Sequence, residues 1–252
     1  MSRFLLLLCL AFWACSPQAT QEAPVQDANP AAEGFDLEHS DPQAIAIADE
    51  VMEAMGGFEA WANTSVLQWT FFGRRQHWWN KQSGDVRIVS PRDSMVYLYN
   101  LFSKEGSVYQ GKNALPADSL PKYLKRAESI WINDSYWLVM PFKLKDSGVT
   151  LTYIGEDTTL AGVAADVLEL RFKEVGDTPQ NKYQVWVEKA PRLITQWSFY
   201  RDVNDTEPGF VTPWIEYQTH GEILLSGNRG EGRALGDIAV LESVAEGWFQ
   251  QP

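Results

Sequence analysis

The chain has 252 residues, of which 45% are hydrophobic and 13% aromatic, so it can bury a substantial core and is not disordered throughout. Acidic residues outnumber basic ones by 33 to 21, and the resulting net charge of -12 argues against a nucleic acid partner. No apolar run reaches the roughly 18 to 20 residues that a spanning helix needs, which excludes a polytopic membrane protein.

Residues 1–14 have the pattern of a secretory signal peptide. Arg3 supplies the positive charge, and an uninterrupted apolar run from Phe4 to Ala14 follows it. Cys15 comes next, in a context that resembles a bacterial lipobox, and we predict that it is acylated and anchors the mature chain in a membrane. An acidic residue directly after the acylated cysteine favours retention in the inner membrane in the best-known sorting systems. The residue here is Ser16, so the outer membrane is favoured by analogy. The alternative is an ordinary signal peptide with a coincidental cysteine.

Residues 15–41 are predicted to form the acylated cysteine and a disordered acidic tether. Residues 16–41 are rich in Ala, Pro, Gln and acids and contain no Lys or Arg, so they have little to bury. Cys9 leaves with the signal peptide, so Cys15 is the only mature cysteine and an internal disulfide is impossible. The remaining residues, 42–252, are predicted to form a single folded domain.

A helix is predicted to begin at Pro42. Ser40 or Asp41 can cap it, and Gly56 and Gly57 end it. Residues 58–63 are compatible with one or two further turns.

From residue 65 onward the pattern changes to short strands. Runs of β-branched and aromatic residues are separated by Gly, Asn, Asp and Pro at hairpin distances, which predicts an antiparallel meander of about eleven strands. That number predicts a mainly β (α+β) protein with a strongly curved sheet, or unclosed β-barrel, and with helices packed on its concave face. The predicted strands lie near residues 66–72, 74–80, 85–89, 95–102, 107–110, 150–155, 163–172, 182–188, 192–201, 214–220, 223–225 and 238–241, with a helix over 117–130.

This organisation and three stretches of sequence carry a family resemblance. The stretches are residues 50–57 with Trp61, residues 136–144, and residues 175–179 leading into Lys182 and Tyr183. They are similar to a family of uncharacterised bacterial lipoproteins, and the whole of 42–252 resembles the LolA/LolB/LppX-like superfamily of lipoprotein and lipid carriers. The resemblance implies one half-barrel domain whose concave face receives acyl chains. It implies no catalytic residues.

Alternation along the strands predicts which side chains line that concave face. The functional interpretation is a pocket for an acyl chain, a lipid or a lipoprotein, and the alternative is an ordinary packed core. The predicted lining residues are Trp69, Phe71, Tyr97, Tyr99, Leu170, Phe172, Val185 and Trp197.

Other candidate sites are weaker. No nucleophile-elbow, zincin or paired-cysteine motif occurs, so we expect no enzyme, and we assign no metal and no cofactor. A metal on His77 and His220 with Glu216 or Glu222 is the disfavoured alternative, because the spacing is not diagnostic. The basic and aromatic run at residues 74–79 could bind an anion, but alternation alone explains it by placing Trp78 and Trp79 on opposite faces. The glycines at residues 230–236 are interpreted as a loop.

Together these features predict a lipid-anchored lipoprotein of the cell envelope, on the periplasmic or the surface face, that carries or binds a hydrophobic ligand without catalysis. The alternative is a filled structural module that docks an envelope protein through exposed aromatic residues such as Trp186 or Tyr200. A third hypothesis, an envelope hydrolase, has only the abundance of carboxylates to support it.

Overall fold

The computed structural model describes residues 27–252, so the predicted signal peptide and the acylation of Cys15 lie outside the described residues. Three α-helices occur in the described part: α1 (Pro42–Ala54), α2 (Gly57–Asn63) and α3 (Leu120–Val139), and a 3-10 turn (Met140–Lys143) follows α3. None of the helices in residues 27–252 combines the length and the hydropathy that crossing a membrane requires.

Fourteen strands follow one another in residues 66–241 and form three antiparallel sheets, none of which closes. This confirms the predicted mainly β, unclosed architecture. The strands are β1 (Val66–Phe71), β2 (Arg75–Asn80), β3 (Asp85–Ser90), β4 (Met95–Asn100), β5 (Gly106–Gln110), β6 (Asn113–Ala114), β7 (Val149–Thr158), β8 (Ala164–Phe172), β9 (Lys182–Glu188), β10 (Ile194–Tyr200), β11 (Phe210–Pro213), β12 (Ile215–His220), β13 (Ile223–Asn228) and β14 (Gly236–Leu241).

The seven-stranded sheet has the order β14-β1-β2-β3-β4-β5-β6, the five-stranded sheet has the order β11-β10-β9-β8-β7, and β12 and β13 form a separate pair. Helix α3 packs on β3, β4 and β5 of the seven-stranded sheet and also contacts β13. Helix α1 contacts β7 of the five-stranded sheet. Buried residues from the helices and from all three sheets belong to one continuous hydrophobic core.

The start and end of α1 agree with the sequence prediction. The backbone N–H of Gln43 donates to Asp41 Oδ1 at 2.8 Å, so Asp41 rather than Ser40 is the cap. The Ser40 hydroxyl instead donates to the carbonyl of Asp36 at 2.6 Å. Gly56 ends the helix at a φ of 114°, where an added Cβ would lie 2.4 Å from the carbonyl oxygen of Glu222, so only glycine fits there.

The predicted disordered tether differs from the structure over residues 32–41. This segment runs beside β7, where the N–H groups of Asp36 and Asp41 donate to the carbonyls of Val149 (3.0 Å) and Leu151 (2.8 Å). Phe35 is buried in the core. The physical reason is that β7 is an edge strand, and an edge strand leaves backbone groups that another segment can satisfy. The folded region therefore begins before residue 42.

Helix α3 ends nine residues later than the predicted boundary at residue 130 and begins at Leu120 rather than at residue 117. Its second half is rich in aromatic and β-branched residues, whose intrinsic helix propensity is modest. Burial of Leu138 and Val139 in the core outweighs that propensity. The short strands β6 and β11 are also absent from the sequence prediction.

The two aromatic residues proposed as exposed docking groups are buried, which corrects that part of the prediction. Trp186 is covered together with Ala165 and Val167, and its indole N–H donates to Asp157 Oδ2 at 3.1 Å. The Tyr200 hydroxyl donates to Gln184 Oε1 at 2.8 Å. Neither ring is therefore available on the surface for docking a partner.

The basic and aromatic run on β2 confirms the alternation argument. Trp79 is buried in the core. Trp78 lies on the other face, where its indole N–H donates to Gln68 Oε1 at 2.8 Å and its ring meets Trp248 edge-on at 5.1 Å. The C-terminal segment that carries Trp248 is held there by Arg87, which donates to the carbonyl of Trp248 at 2.9 Å.

Arg229 connects the end of α3 to β13. Its fully buried guanidinium donates to the carbonyls of Trp137 (2.5 Å), Ser226 (2.9 Å) and Asn228 (2.9 Å), and it lies 3.4 Å above the ring of Trp214. Burial lowers its pKa to about 9, so it remains protonated at neutral pH. Because Trp137 is in the last turn of α3, the cation also meets the negative end of the helix dipole.

Arg229→Ala is therefore expected to lower the free energy of unfolding by at least about 3 kcal/mol, because several buried carbonyls lose their donor and a void is left. Urea denaturation measures this change. Arg233→Ala is the matched control, since Arg233 is exposed and its nearest acid, Glu231, is 3.6 Å away on the surface. Equal stability of the two variants would contradict the anchoring role.

Candidate ligand-binding cavity

A cavity of about 640 Å³ lies between the second half of α3 and the five-stranded sheet. Its volume is within the roughly 300 to 1,000 Å³ of small-molecule pockets. The residues that line it are Trp131, Ile132, Asn133, Ser135, Tyr136, Trp137, Lys143, Asp146, Ser147, Val149, Phe172, Val175, Gly176, Asp177, Thr178, Asn181, Tyr183, Trp197, Phe199 and Phe210.

Aromatic rings from α3 and from the sheet form the inner wall. Trp137 on α3 meets Trp197 on β10 edge-on at 4.7 Å and stacks on Phe210 of β11 at 5.7 Å. Tyr183 on β9 meets Trp197 edge-on at 5.2 Å. Such pairs stabilise beyond simple burial and have defined geometries, so each ring limits the movement of the next. The wall is therefore stiff and apolar.

Polar residues surround the mouth of the cavity. Ser147, Asp177 and Thr178 are exposed and lie in the loops after the 3-10 turn and after β8. Lys143 forms an ion pair with Asp146. An apolar interior with a polar mouth is the arrangement expected for a pocket that admits an apolar ligand from water.

The structure places two of the eight predicted lining residues, Phe172 and Trp197, on this cavity. The other six are buried in the packed core and do not line it. On the seven-stranded sheet the reason is that α3 packs directly against the strands, for example through Trp131 and Trp79, whose rings are 5.1 Å apart. The six core residues are Trp69, Phe71, Tyr97, Tyr99, Leu170 and Val185.

The sequence prediction missed most of the cavity. Phe199 is two residues after Trp197 on β10 and shares its face, so the same alternation indicates it. Tyr136 and Trp137 lie in the part of α3 beyond the predicted helix boundary. Phe210 lies on β11, a strand of four residues that is too short to give a periodic signal.

Three of the lining residues carry a buried donor without a hydrogen-bond partner in the described part of the chain: the indole nitrogens of Trp131 and Trp197 and the hydroxyl of Tyr136. Burial, with Tyr183 and Asp146 nearby, raises the pKa of Tyr136 well above its ordinary value, so its hydroxyl stays protonated.

A buried charge cluster fixes α3 on the seven-stranded sheet. Asp134 is fully buried and accepts from Arg75 through Nε at 2.7 Å and through Nη2 at 2.8 Å, and it contacts His77 Nε2 at 2.8 Å. Burial opposes the ionisation of Asp134, but the hydrogen bonds from His77 and Arg75 outweigh it and lower the pKa of Asp134. Asp134 is within one turn of Tyr136 and Trp137, so this cluster also positions the cavity wall.

A shallow groove of about 880 Å³ beside α1 is larger than this cavity. Its lining carries five acids and two bases, and both bases are already paired, because Asp166 accepts from Lys189 and from Arg192 at 2.7 and 2.6 Å, and Arg192 also pairs with Glu50. The aromatic cavity is the better candidate, since aromatic rings form its inner wall and three of its lining residues carry buried donors without partners in the described part of the chain.

The histidines proposed as alternative metal ligands are not together. His77 is buried on β2 beside Asp134, and His220 ends β12 in a different sheet. Within residues 27–252, no group of three or more His, Cys, Asp or Glu side chains is arranged to hold a metal ion.

No protein-family model matches this chain, and no curated protein matches it. Among solved structures, it is similar to a DUF1329 family protein from Desulfovibrio piger ATCC 29098, with 15% identity, a TM-score of 0.44, and coverage of 84% of this chain and 98% of that one. It is also similar to an outer membrane lipoprotein-sorting protein domain from Vibrio parahaemolyticus, with 10% identity, a TM-score of 0.42, and coverage of 82% and 96%. These similarities are low, and what the chain binds is inferred from its own cavity.

Asp134→Asn is expected to lower the free energy of unfolding by roughly 3 kcal/mol, because Arg75 loses its counter-charge. This expected loss is at the low end of the range for breaking a buried ion pair, because the Arg75 side chain is partly exposed. Glu128→Gln on the same helix is the control, because its ion pair with Lys104 is on the surface. Denaturant unfolding measures both, and an equal loss in the two variants would contradict the anchoring role of Asp134.

The stability should also depend on pH through His77. Burial lowers the pKa of folded His77 below its ordinary 6.5, although Asp134 opposes this. As the pH falls, the unfolded chain therefore binds the proton before the folded chain does. The contribution of His77 to the unfolding free energy is fully present above pH 6.5 and is lost as the pH falls toward the folded pKa. The lowered pKa of Asp134 adds a second loss below its ordinary 3.8.

His77→Gln keeps a donor for Asp134 but does not titrate, so it should remove most of the first loss. Urea unfolding between pH 8 and pH 5 measures this. His220 is less buried, so the His220→Gln variant should still lose most of the same unfolding free energy between pH 8 and pH 5. An unchanged pH profile in His77→Gln would show that His77 does not cause it.

Proposed function

We propose that this protein binds or carries an apolar ligand, such as an acyl chain, in the cavity between α3 and the five-stranded sheet, and that it is not an enzyme. The observation that carries the proposal is the hollow of about 640 Å³ that remains among packed aromatic rings. A hollow of this size in a stiff apolar wall costs dispersion contacts, which an apolar ligand restores.

The energetics are adequate for reversible binding. Each buried methylene contributes about 0.8 kcal/mol, so a chain of roughly ten methylenes contributes about 8 kcal/mol before the cost of association. The net dissociation constant should therefore be micromolar or weaker. Such an affinity suits a protein that accepts and releases its ligand.

The proposed location is the cell envelope. It rests on the lipobox-like sequence at Cys15, which would attach the chain to the outer membrane, with the folded domain on the periplasmic or surface face. The aromatic cavity supports this location, because a lipid-anchored domain is close to a source of acyl chains.

The test uses residues 15–252 with Cys15→Ser, exported behind a cleavable signal peptide and purified without detergent. We expect co-purified lipid by mass spectrometry, and micromolar binding of the neutral fluorescent probe N-phenyl-1-naphthylamine.

Val175→Trp, at the cavity mouth, should weaken binding of the probe at least tenfold by obstructing the opening, whereas Val163→Trp, at an exposed position that does not line the cavity, should not change it. The absence of both lipid and probe binding in the unaltered sequence would overturn the proposed function.

A further inference from the structure

The unpartnered donors at the cavity indicate what its ligand carries. Trp197 is only 3% exposed, and neither its indole N–H nor the hydroxyl of Tyr136 has an acceptor in the described chain. Leaving such groups unmet is costly, and buried Trp and Tyr usually find partners. Trp69 and Trp79 also lack acceptors in residues 27–252, but they lie in the solid core. The third donor at the cavity belongs to Trp131, whose ring packs edge-on against Trp79. Tyr136 and Trp197 line the cavity, so a ligand bound there lies against the residues that carry these two donors.

The charges around the cavity disfavour an anion. Its lining carries one positive charge, Lys143, and two negative charges, Asp146 and Asp177. Lys143 is already paired with Asp146, and Asp177 forms no ion pair among residues 27–252. A carboxylate buried here would lose its hydration without gaining a free counter-charge. The acceptor that the donors require should therefore be uncharged.

We propose that the ligand carries an uncharged hydrogen-bond acceptor, such as an ester carbonyl, which binds the Tyr136 hydroxyl or the Trp197 indole N–H. The apolar remainder of the ligand lies against Trp137, Phe199 and Phe210. This inference rests on the proposed function, since it assigns the chemical class of ligand for the same cavity. It distinguishes an esterified acyl chain from a free fatty acid and from a cationic amphiphile.

Three ligands with the same ten-carbon chain test the inference: methyl decanoate, decanoate and decyltrimethylammonium. The affinity of each ligand is measured by displacement of N-phenyl-1-naphthylamine from the protein of residues 15–252 described above. The measurement is made at pH 7.5, with each ligand below the concentration at which that ligand aggregates. We expect the ester to bind at least tenfold more tightly than either charged ligand.

The ester carbonyl accepts from Tyr136 or from Trp197. Removing the donor that it uses, by Tyr136→Phe or by Trp197→Phe, should weaken ester binding by up to about tenfold relative to probe binding. Trp186→Phe and Tyr153→Phe are the matched controls, because these residues are outside the cavity and have acid partners of their own. Tyr136→Phe should not lower the thermal unfolding midpoint, since the hydroxyl it removes has no partner in the described chain.

The outcomes separate the two proposals. If neither the probe nor any of the three ten-carbon ligands binds, the proposed function fails. If the probe binds, but decanoate or decyltrimethylammonium binds as tightly as the ester or more tightly, the cavity binds ligands and the inference of an uncharged acceptor is wrong. The inference is also wrong if both donor variants leave the ratio of ester affinity to probe affinity unchanged.

Discussion

The cavity depends on how α3 is held between two sheets. Its second half is fixed at one point by the carboxylate of Asp134, bound to Arg75 and His77, and at another by Arg229, bound to the carbonyl of Trp137. Asp134, His77 and Arg229 are buried, so any shift of the helix would leave charges or carbonyls without partners. Hydrophobic contacts alone tolerate sliding and repacking more readily. The polar anchors therefore fix α3 relative to the seven-stranded sheet and to β13, and this determines where Tyr136 and Trp137 lie at the cavity.

The same helix has two different neighbours. Toward the seven-stranded sheet it packs directly on the strands, and the indole of Trp131 meets that of Trp79. Toward the five-stranded sheet its Trp137 reaches Trp197 and Phe210 across part of the gap, and a hollow remains beside these rings. Aromatic pairs prefer offset or edge-to-face arrangements with ring centres roughly 4.5 to 7 Å apart, so these rings hold defined positions. Helix α3 therefore has a solid core on one side and a hollow on the other.

Much of the fold could be predicted from the sequence, because alternation and turn residues mark each strand and Asp41 and Pro42 mark the first helix. The site was harder to predict. Alternation shows which side chains point inward, and it correctly groups Trp197 with Phe199, but it does not show whether an inward residue such as Tyr97 meets a helix or a hollow. That depends on the path of α3, which is set by long-range contacts of Asp134 and Arg229 that no local pattern reveals.

The most direct measurement is anomalous diffraction from crystals of the protein bound to a bromine-labelled decanoate methyl ester. Ligand binding in the hollow predicts a bromine peak there, beside Trp137 and Phe210, and ester density with its carbonyl oxygen about 3 Å from the Tyr136 hydroxyl or the Trp197 indole nitrogen. A peak found only on the outer surface, or a hollow closed by the protein's own side chains at saturating ester, would contradict it.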